Sequence, residues 1–459
     1  MFRPLAVVKA AVASGAHGAD RLAKAKNPPG LPLRLLSAAR LRDVLSGGNF
    51  SPFSAAEIAD GRDRALANRL INAALRRHGH LSLVVGHLLD RGIPKKSGTF
   101  EAILRLSLAQ LLYLPELGDH SALFLAVEAS KRDPKAQHLA GLMNAALRRA
   151  QAEADTLRDA PKELLFPEEL RKQWRKAYGP AAVDAFADAL LRGASLDLTL
   201  KDHYPALIEL LGGRPLFADT VRVEARDKPV EQLPGYAEGR WWVQDAAASL
   251  PARFLQLPAG SSVLDLCAAP GGKTAQLVKA GYRVTALDMD RQRLDRLREN
   301  LGRLHYEATI VEADGTAYRP AEAYDGVLLD APCSATGTFR RHPEVVWHRR
   351  ASDIAGRVAL QRRFISNAVS CLKSNGVLVY CVCSLEREEG EGQLDWIART
   401  HPELVPEPIG PEEVAGLPPG AITGSGCLRT HPGMVVGQTD SHDGDSSLDG
   451  FFIARFRRR

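Results

Sequence analysis

The sequence predicts an α/β protein whose second half is a mostly parallel sheet covered by helices, preceded by an all-helical first half. Three observations carry this expectation. From about Leu33 to Ala150 the apolar residues recur at helical spacing, as in Leu104-Leu108-Leu111-Leu112 and Leu139-Leu142-Met143-Leu147. From Val243 onward the rhythm changes to short apolar runs, each followed by a helical stretch, the pattern of parallel strands joined by right-handed crossovers. Between the two, residues 151–165 are charged and contain Pro161, as a linker would.

Taken in order, residues 1–30 read as an N-terminal tail. Lys9 interrupts an apolar stretch that is too short for an export signal. Residues 31–155 form the helical domain, with breaks at Ser46-Gly47-Gly48, Arg91-Gly92-Ile93-Pro94 and Pro115 that leave five to seven helices. Residues 160–240 form a small mixed α/β segment, with helices around Trp174 and Phe186 and strands near Leu196–Leu200 and Thr220–Ala225. Residues 241–459 carry the strand runs Ser262–Cys267, Val284–Leu287, Ala308–Val311, Gly326–Leu329 and Val377–Tyr380. A polar loop over Gly437–Gly450 then leads to a last strand, Phe451–Phe456.

Bulk properties narrow the class. A chain of 459 residues allows two to four domains, and no apolar run approaches the roughly 18 residues of a membrane span. A net charge of +6 favours a polyanionic partner. The six cysteines all fall in the last two hundred residues without a CxxC pair, so neither a disulfide framework nor a zinc site is expected, and a reducing cytosol is.

In a parallel sheet, ligands bind where the strands end. The first run leads into Cys267-Ala268-Ala269-Pro270-Gly271-Gly272-Lys273, a turn of small residues opening a helix whose free N–H groups face a ligand. It is not a phosphate loop and lacks G-x-G-x-x-G. Asp288, twenty-three residues after Asp265, ends the second run, where a carboxylate can take both ribose hydroxyls of a nucleoside cofactor. Asp314 follows the third run, placed to meet an adenine edge. Any one of these acids alone could equally be a loop cap. The fourth and fifth runs end in Asp330-Ala331-Pro332-Cys333-Ser334 and Cys381-Val382-Cys383-Ser384, which set two thiols just past strand ends. Cys371 and Cys427 read as small core residues, and Cys381 belongs to its strand.

The phrases LDLCAAPGGKT, DAPCSATGTFRRHP and CSLEREEGEGQ together resemble the Nol1/Nop2/Sun family of RNA cytosine-C5 methyltransferases, and Gln244-Asp245 and Asp449–Phe452 fit it too. LAQLLYL, LAVEASKR and GLMNAALRR in the first half resemble the NusB-like RNA-binding domain of that family's bacterial Sun/Fmu branch. The resemblance implies a Rossmann-like class I methyltransferase domain with a seven-stranded, mostly parallel sheet, and S-adenosyl-L-methionine as cofactor. It implies methylation of cytosine C5 in 16S rRNA (the cytosine-967 type) by a cytoplasmic monomer with no membrane and no metal. Cys383 is then the nucleophile adding to C6, Asp330 holds the cytosine, and Cys333 assists breakdown of the adduct. The loop Cys267–Lys273, Asp288, Asp314 and Asp330 bind the cofactor. Arg340, Arg341 and His342, beside Cys333, are expected to meet RNA phosphate. Trp241-Trp242 either stack on bases or pack a domain junction. Where the family often has R-x-N, this chain has Leu198-Thr199-Leu200-Lys201. A tRNA substrate, or a non-catalytic RNA-binding assembly factor, is the alternative. A DNA-type enzyme would use the proline-cysteine step itself as nucleophile and leave Cys383 superfluous.

Overall fold

The computed structural model describes residues 28–223, 229–436 and 446–459. The expected tail over 1–27, the end of the strand expected at Thr220–Ala225, and positions 437–445 of the polar loop lie outside them. The chain forms two compact units, one of residues up to Ala74 with Leu81–Asp159, the other of Leu75–His80 with Ala160–Arg459.

The first unit is helical: α1 (Leu31–Leu45), α2 (Gly61–Arg76, its last two residues counted with the second unit), α3 (His78–Leu88), α4 (Phe100–Tyr113), α5 (Asp119–Arg132), α6 (Ala140–Ala152) and α7 (Ala154–Arg158). The helices stop at the predicted breaks. α4 is buried around nearly its whole circumference, so Leu104, Leu108, Leu111 and Leu112 form the centre of this unit. α6 buries Met143 and Leu147, whereas Leu142, expected on the same stripe, is 38% exposed.

The second unit begins with α8 (Glu168–Tyr178) and α9 (Pro180–Arg192), whose Trp174 and Phe186 pack with Phe166 and Phe339. Then come β1 (Leu196–Leu200), α10 (Pro205–Leu210), β2 (Gly213–Phe217), β3 (Thr220–Val223) and β4 (Trp241–Val243), an antiparallel sheet in the order β2-β3-β1-β4. Trp241 and Trp242 are both buried and donate their indole N–H groups to Pro234 O and Gln244 Oε1. They pack the structure and offer no exposed stacking face.

The large sheet is built from β5 (Ser262–Leu266), α11 (Gly272–Lys279), β6 (Arg283–Asp288), α12 (Arg291–Leu304), β7 (Thr309–Glu312), β8 (Tyr324–Asp330), α13 (Val345–His348), α14 (Ala351–Ser370), β9 (Leu372–Val382), α15 (Leu394–Thr400), β10 (Leu404–Pro406), β11 (Leu428–Thr430) and β12 (Phe451–Arg458). Seven strands run in the order β10-β12-β9-β8-β5-β6-β7, with the short β11 paired to β12. The five strands from β9 to β7 are parallel, and β10, β11 and β12 join antiparallel. No helix follows β7, contrary to the expected alternation, because residues 313–323 are few and contain Gly315 and Pro320. Strand residues alternate between two apolar cores, Val263, Leu328 and Val379 on one face and Leu264, Leu329, Leu378 and Tyr380 on the other. Among the described residues no helix is long and apolar enough to cross a membrane. After β5 the chain runs outward to β6 and β7, then returns to the other side of β5 as β8. This reversal opens a crevice at the carboxyl ends of β5 and β8.

Candidate active site

Strand register brings the two thiols together. β8 and β9 are parallel neighbours that pair Asp330 with Cys381, so the segments leaving them start side by side. Ala331 N donates to Cys381 O at 2.9 Å, and Gly337 N donates to Cys383 O at 3.0 Å. The result is a Cys333 Sγ to Cys383 Sγ distance of 3.4 Å. Cys333 is buried, and Cys383 is half-buried, the more accessible of the two. The Cys333 thiol is pushed up in pKa, first by its hydrogen bond with Cys383 and then by burial. Cys371 and Cys427 are buried in the apolar core, as expected, and Cys381 donates its thiol to Asp330 Oδ1 at 3.5 Å.

Across the crevice stands Lys273, in the first turn of α11. Its Nζ lies 2.8 Å from Asp330 Oδ2 and 5.3 Å from the Phe451 ring centre. Burial alone would lower the pKa of this ammonium, but the Asp330 carboxylate more than offsets it and holds the cation above its ordinary value. Lys273 is thus a fixed positive charge in the crevice, paired with Asp330. The turn before it passes Cys267 (φ 66°) and Gly271 (φ 103°). A Cβ at Gly271 would sit 2.9 Å from Leu297 Cγ, so glycine alone lets this turn close against α12.

The turn lines a crevice of about 560 Å³, with Asp265, Asp330, Gln244 and Trp242 in its walls. Asp265 is fully buried. Its Oδ2 accepts from Thr274 Oγ1 at 2.6 Å, and its Oδ1 has no partner among the described residues. Burial raises this carboxyl to about 7. An orphaned buried carboxylate oxygen in a crevice is suited to a cationic ligand group, and the small-residue turn leaves backbone open to it. These residues fit a donor that carries an ammonium and a nucleoside. Asp288 is buried; its Oδ2 accepts from Ala269 N at 3.3 Å and lies 3.3 Å from Arg293 Nη1, and its Oδ1 accepts from Asp290 N at 3.0 Å and keeps a lone pair for a hydroxyl. Met289, which sequence reasoning passed over, is 71% exposed at the same strand end, where an apolar side chain can cover a ring. Asp314 is exposed and folds back on Thr316, whose N and Oγ1 both lie 2.8 Å from Oδ1; these bonds lower its pKa.

The basic turn is not what the sequence suggested. Arg340 is fully buried, donating to Asp449 Oδ1 at 2.9 Å, Asp245 Oδ2 at 3.1 Å and Ser447 Oγ at 2.7 Å. Arg341 donates to Asp449 Oδ2 at 3.0 Å and also pairs with Asp245. The expectation that Arg340 and Arg341 meet RNA phosphate is therefore corrected: buried carboxylates already take their guanidinium groups. Burial alone would raise the Asp245 carboxyl, but Arg341 and Arg340 hold it at about 2. His342 remains half-exposed, 3.6 Å from Glu344. Gly337 and Gly450 close the same region back to back. Gly450 N donates to Gly337 O at 2.9 Å, and a Cβ on Gly337 would fall 2.0 Å from Gly450 O.

Sequence reasoning also missed Glu389, a fully buried carboxylate between the two thiol-bearing loops. It lies in the acidic run Glu386-Arg387-Glu388-Glu389-Gly390-Glu391, and nothing in that run signals that Glu386 and Glu389 turn inward while Glu388 does not.

Comparison with known proteins places the chain among relatives. A family profile described as 16S rRNA methyltransferase RsmB/F matches residues 252–457, and the NusB family matches residues 41–152. Over 413 residues the chain is 34% identical to a ribosomal RNA small subunit methyltransferase B of Xanthomonas campestris, covering 86% of this chain and 89% of the relative. Its fold is similar to the crystal structure of PH0851, with TM-score 0.72 and 20% identity over 94% of this chain and 99% of that one. It is similar also to a methyltransferase homolog from Pyrococcus horikoshii, with TM-score 0.54 and 24% identity over 65% and 98%.

Proposed function

The chain belongs to the 16S rRNA methyltransferase RsmB/F family, and from that premise we propose that it methylates carbon 5 of a cytosine in small-subunit rRNA through a transient bond between Cys383 Sγ and carbon 6. S-adenosyl-L-methionine, when bound, supplies an electrophilic methyl group on a sulfonium. The observation that carries the reading is the pair of thiols 3.4 Å apart beside the Lys273–Asp330 ion pair.

The chain's own residues divide the work. Cytosine C5 is a poor nucleophile until C6 is attacked, so the more accessible thiol, Cys383, adds to C6 as thiolate, and the new C6–S bond leaves C5 electron-rich. Asp330 meets N3 and the exocyclic amine, holding the ring and stabilising its charged form. Once C5 carries the methyl group, the C5 proton is lost to the thiolate form of Cys333, whose own proton has first gone to solvent. The electron pair then re-forms the C5–C6 double bond and expels Cys383 as thiolate. Asp265 and the Cys267–Lys273 turn hold the cofactor's amino-acid end, Asp288 its ribose, and Asp314 the adenine edge, with Met289 over the ring. His342 meets RNA phosphate. The protein works as a monomer in the cytosol, and its helical unit docks RNA.

The test is Cys333→Ala. It is expected to accumulate a protein–RNA adduct stable to denaturation, and sequencing the captured RNA identifies the substrate. Capture of small-subunit rRNA supports the reading, and capture of tRNA alone replaces it with the tRNA enzyme. Normal turnover without adduct removes Cys333 from the mechanism.

Asp265 adds a pH dependence. An ammonium against Oδ1 needs the carboxylate ionised, and the free protein holds it protonated up to about 7. Cofactor affinity is therefore expected to rise from about pH 5 to about pH 7, approaching tenfold per unit well below the pKa. Asp265→Asn flattens this rise. Calorimetric titration across the range checks it, and a flat wild-type profile refutes it.

A further inference from the structure

We propose that Glu389 is a positioning residue that ties the two thiol loops together and so sets the spacing of Cys383 and Cys333 on which both halves of the reaction depend. The proposal rests on the roles given above to the two cysteines.

Glu389 touches neither thiol. It holds the residues that follow them. Oε1 accepts from Ser334 N at 2.9 Å; Oε2 accepts from Ser384 Oγ at 2.6 Å and from Ser334 Oγ. Gln361, on α14, donates to Oε1 at 2.9 Å and to Pro332 O at 3.1 Å, bracing the first loop from behind. The carboxylate's own backbone is fixed as well, since Tyr380 in β9 donates its hydroxyl to Glu389 O at 2.6 Å. Two of the side chain's neighbours, Ser334 N and Gln361 Nε2, can only donate, and both meet an acceptor in Oε1.

The geometry explains why a charge is retained where apolar packing would do. Strand register ends at Asp330 and Cys381, and beyond those residues the backbone bond from Gly337 N to Cys383 O is joined by this side-chain clamp. A serine after each cysteine, clamped to one buried carboxylate, carries the alignment on to Ser334 and Ser384, four and three residues further, and delivers both sulfurs to one place.

Glu389→Gln keeps the shape but replaces one acceptor oxygen of the clamp with an N–H donor, so the Ser334 and Ser384 hydroxyls must turn to accept. It is expected to lower kcat about 100-fold, the effect of roughly an ångström of misplacement. RNA KM and cofactor Kd should stay within about twofold, since neither ligand touches this group. Because removal of the proton by Cys333 depends on the spacing, the steady-state fraction of denaturation-stable protein–RNA adduct should rise above that of wild type. Ser384→Ala, which removes one arm only, should lower kcat less and add little in combination with Glu389→Gln; it serves in place of Glu389→Gln if that variant fails to fold. Wild-type kcat in the folded variant, or a rise in KM and Kd matching the loss in kcat, overturns the tie. Cys383→Ala assayed in parallel separates the two claims. If it is inactive while Glu389→Gln is normal, only the tie fails; if it retains turnover, the nucleophile assignment fails first.

Discussion

Cys383→Ala is expected to reduce methyl transfer on the order of 10⁴-fold or more, while cofactor affinity changes by less than about twofold. The substitution removes one sulfur from a half-buried position. It leaves the backbone contact from Gly337 N and the β8–β9 register untouched, so the crevice walls persist. What is lost is the only route by which C5 becomes nucleophilic. The second thiol does not substitute, because Cys333 is buried, raised in pKa, and held by Arg357 through its carbonyl oxygen at 2.8 Å. Bisulfite readout of RNA incubated with the variant measures the residual rate. Appreciable turnover sinks the assignment, and with Cys333→Ala inactive instead it would favour the proline-cysteine nucleophile of the DNA enzymes.

Arg340→Ala carries the largest expected effect on stability, about 3–5 kcal/mol, because truncating one member of a buried ion set strands its partners. Asp245, Asp449 and Asp197 face Arg340, Arg341 and Arg222, three charges of each sign. Arg222 is bidentate on Asp197 at 2.7 and 2.9 Å, with both side chains fully buried. Denaturant unfolding of wild type and variant measures the loss. An RNA-contacting arginine would behave oppositely, weakening RNA binding in a protein of unchanged stability. The same cluster gives a signed pH effect. Asp245 is held near 2 against its ordinary 3.8, so its contribution is complete above about pH 4 and disappears as pH falls toward 2. A stability loss below about 1 kcal/mol would return Arg340 to the surface.

The sequence by itself determined the elements and their chemistry. Apolar periodicity located six of the eight described strands of the large sheet, though it marked only Val377–Tyr380 of the eleven-residue β9 and gave no signal for the short β10 and β11, and the paired Cys-Ser steps marked where reactive groups leave the sheet, because a parallel strand's end is where ligands bind whatever surrounds it. Partnership was decided by the tertiary structure. Arg340 and Arg341 looked like phosphate ligands because a run of cations reads as solvated until Asp245 and Asp449, 95 and 109 residues from Arg340 in the chain, are brought against it. Glu389 was indistinguishable from its acidic neighbours until folding placed Ser334 and Ser384 on either side. Local pattern fixes which way a backbone runs. Which charges meet depends on contacts between distant segments, and burial then decides whether a charge serves the fold or the substrate.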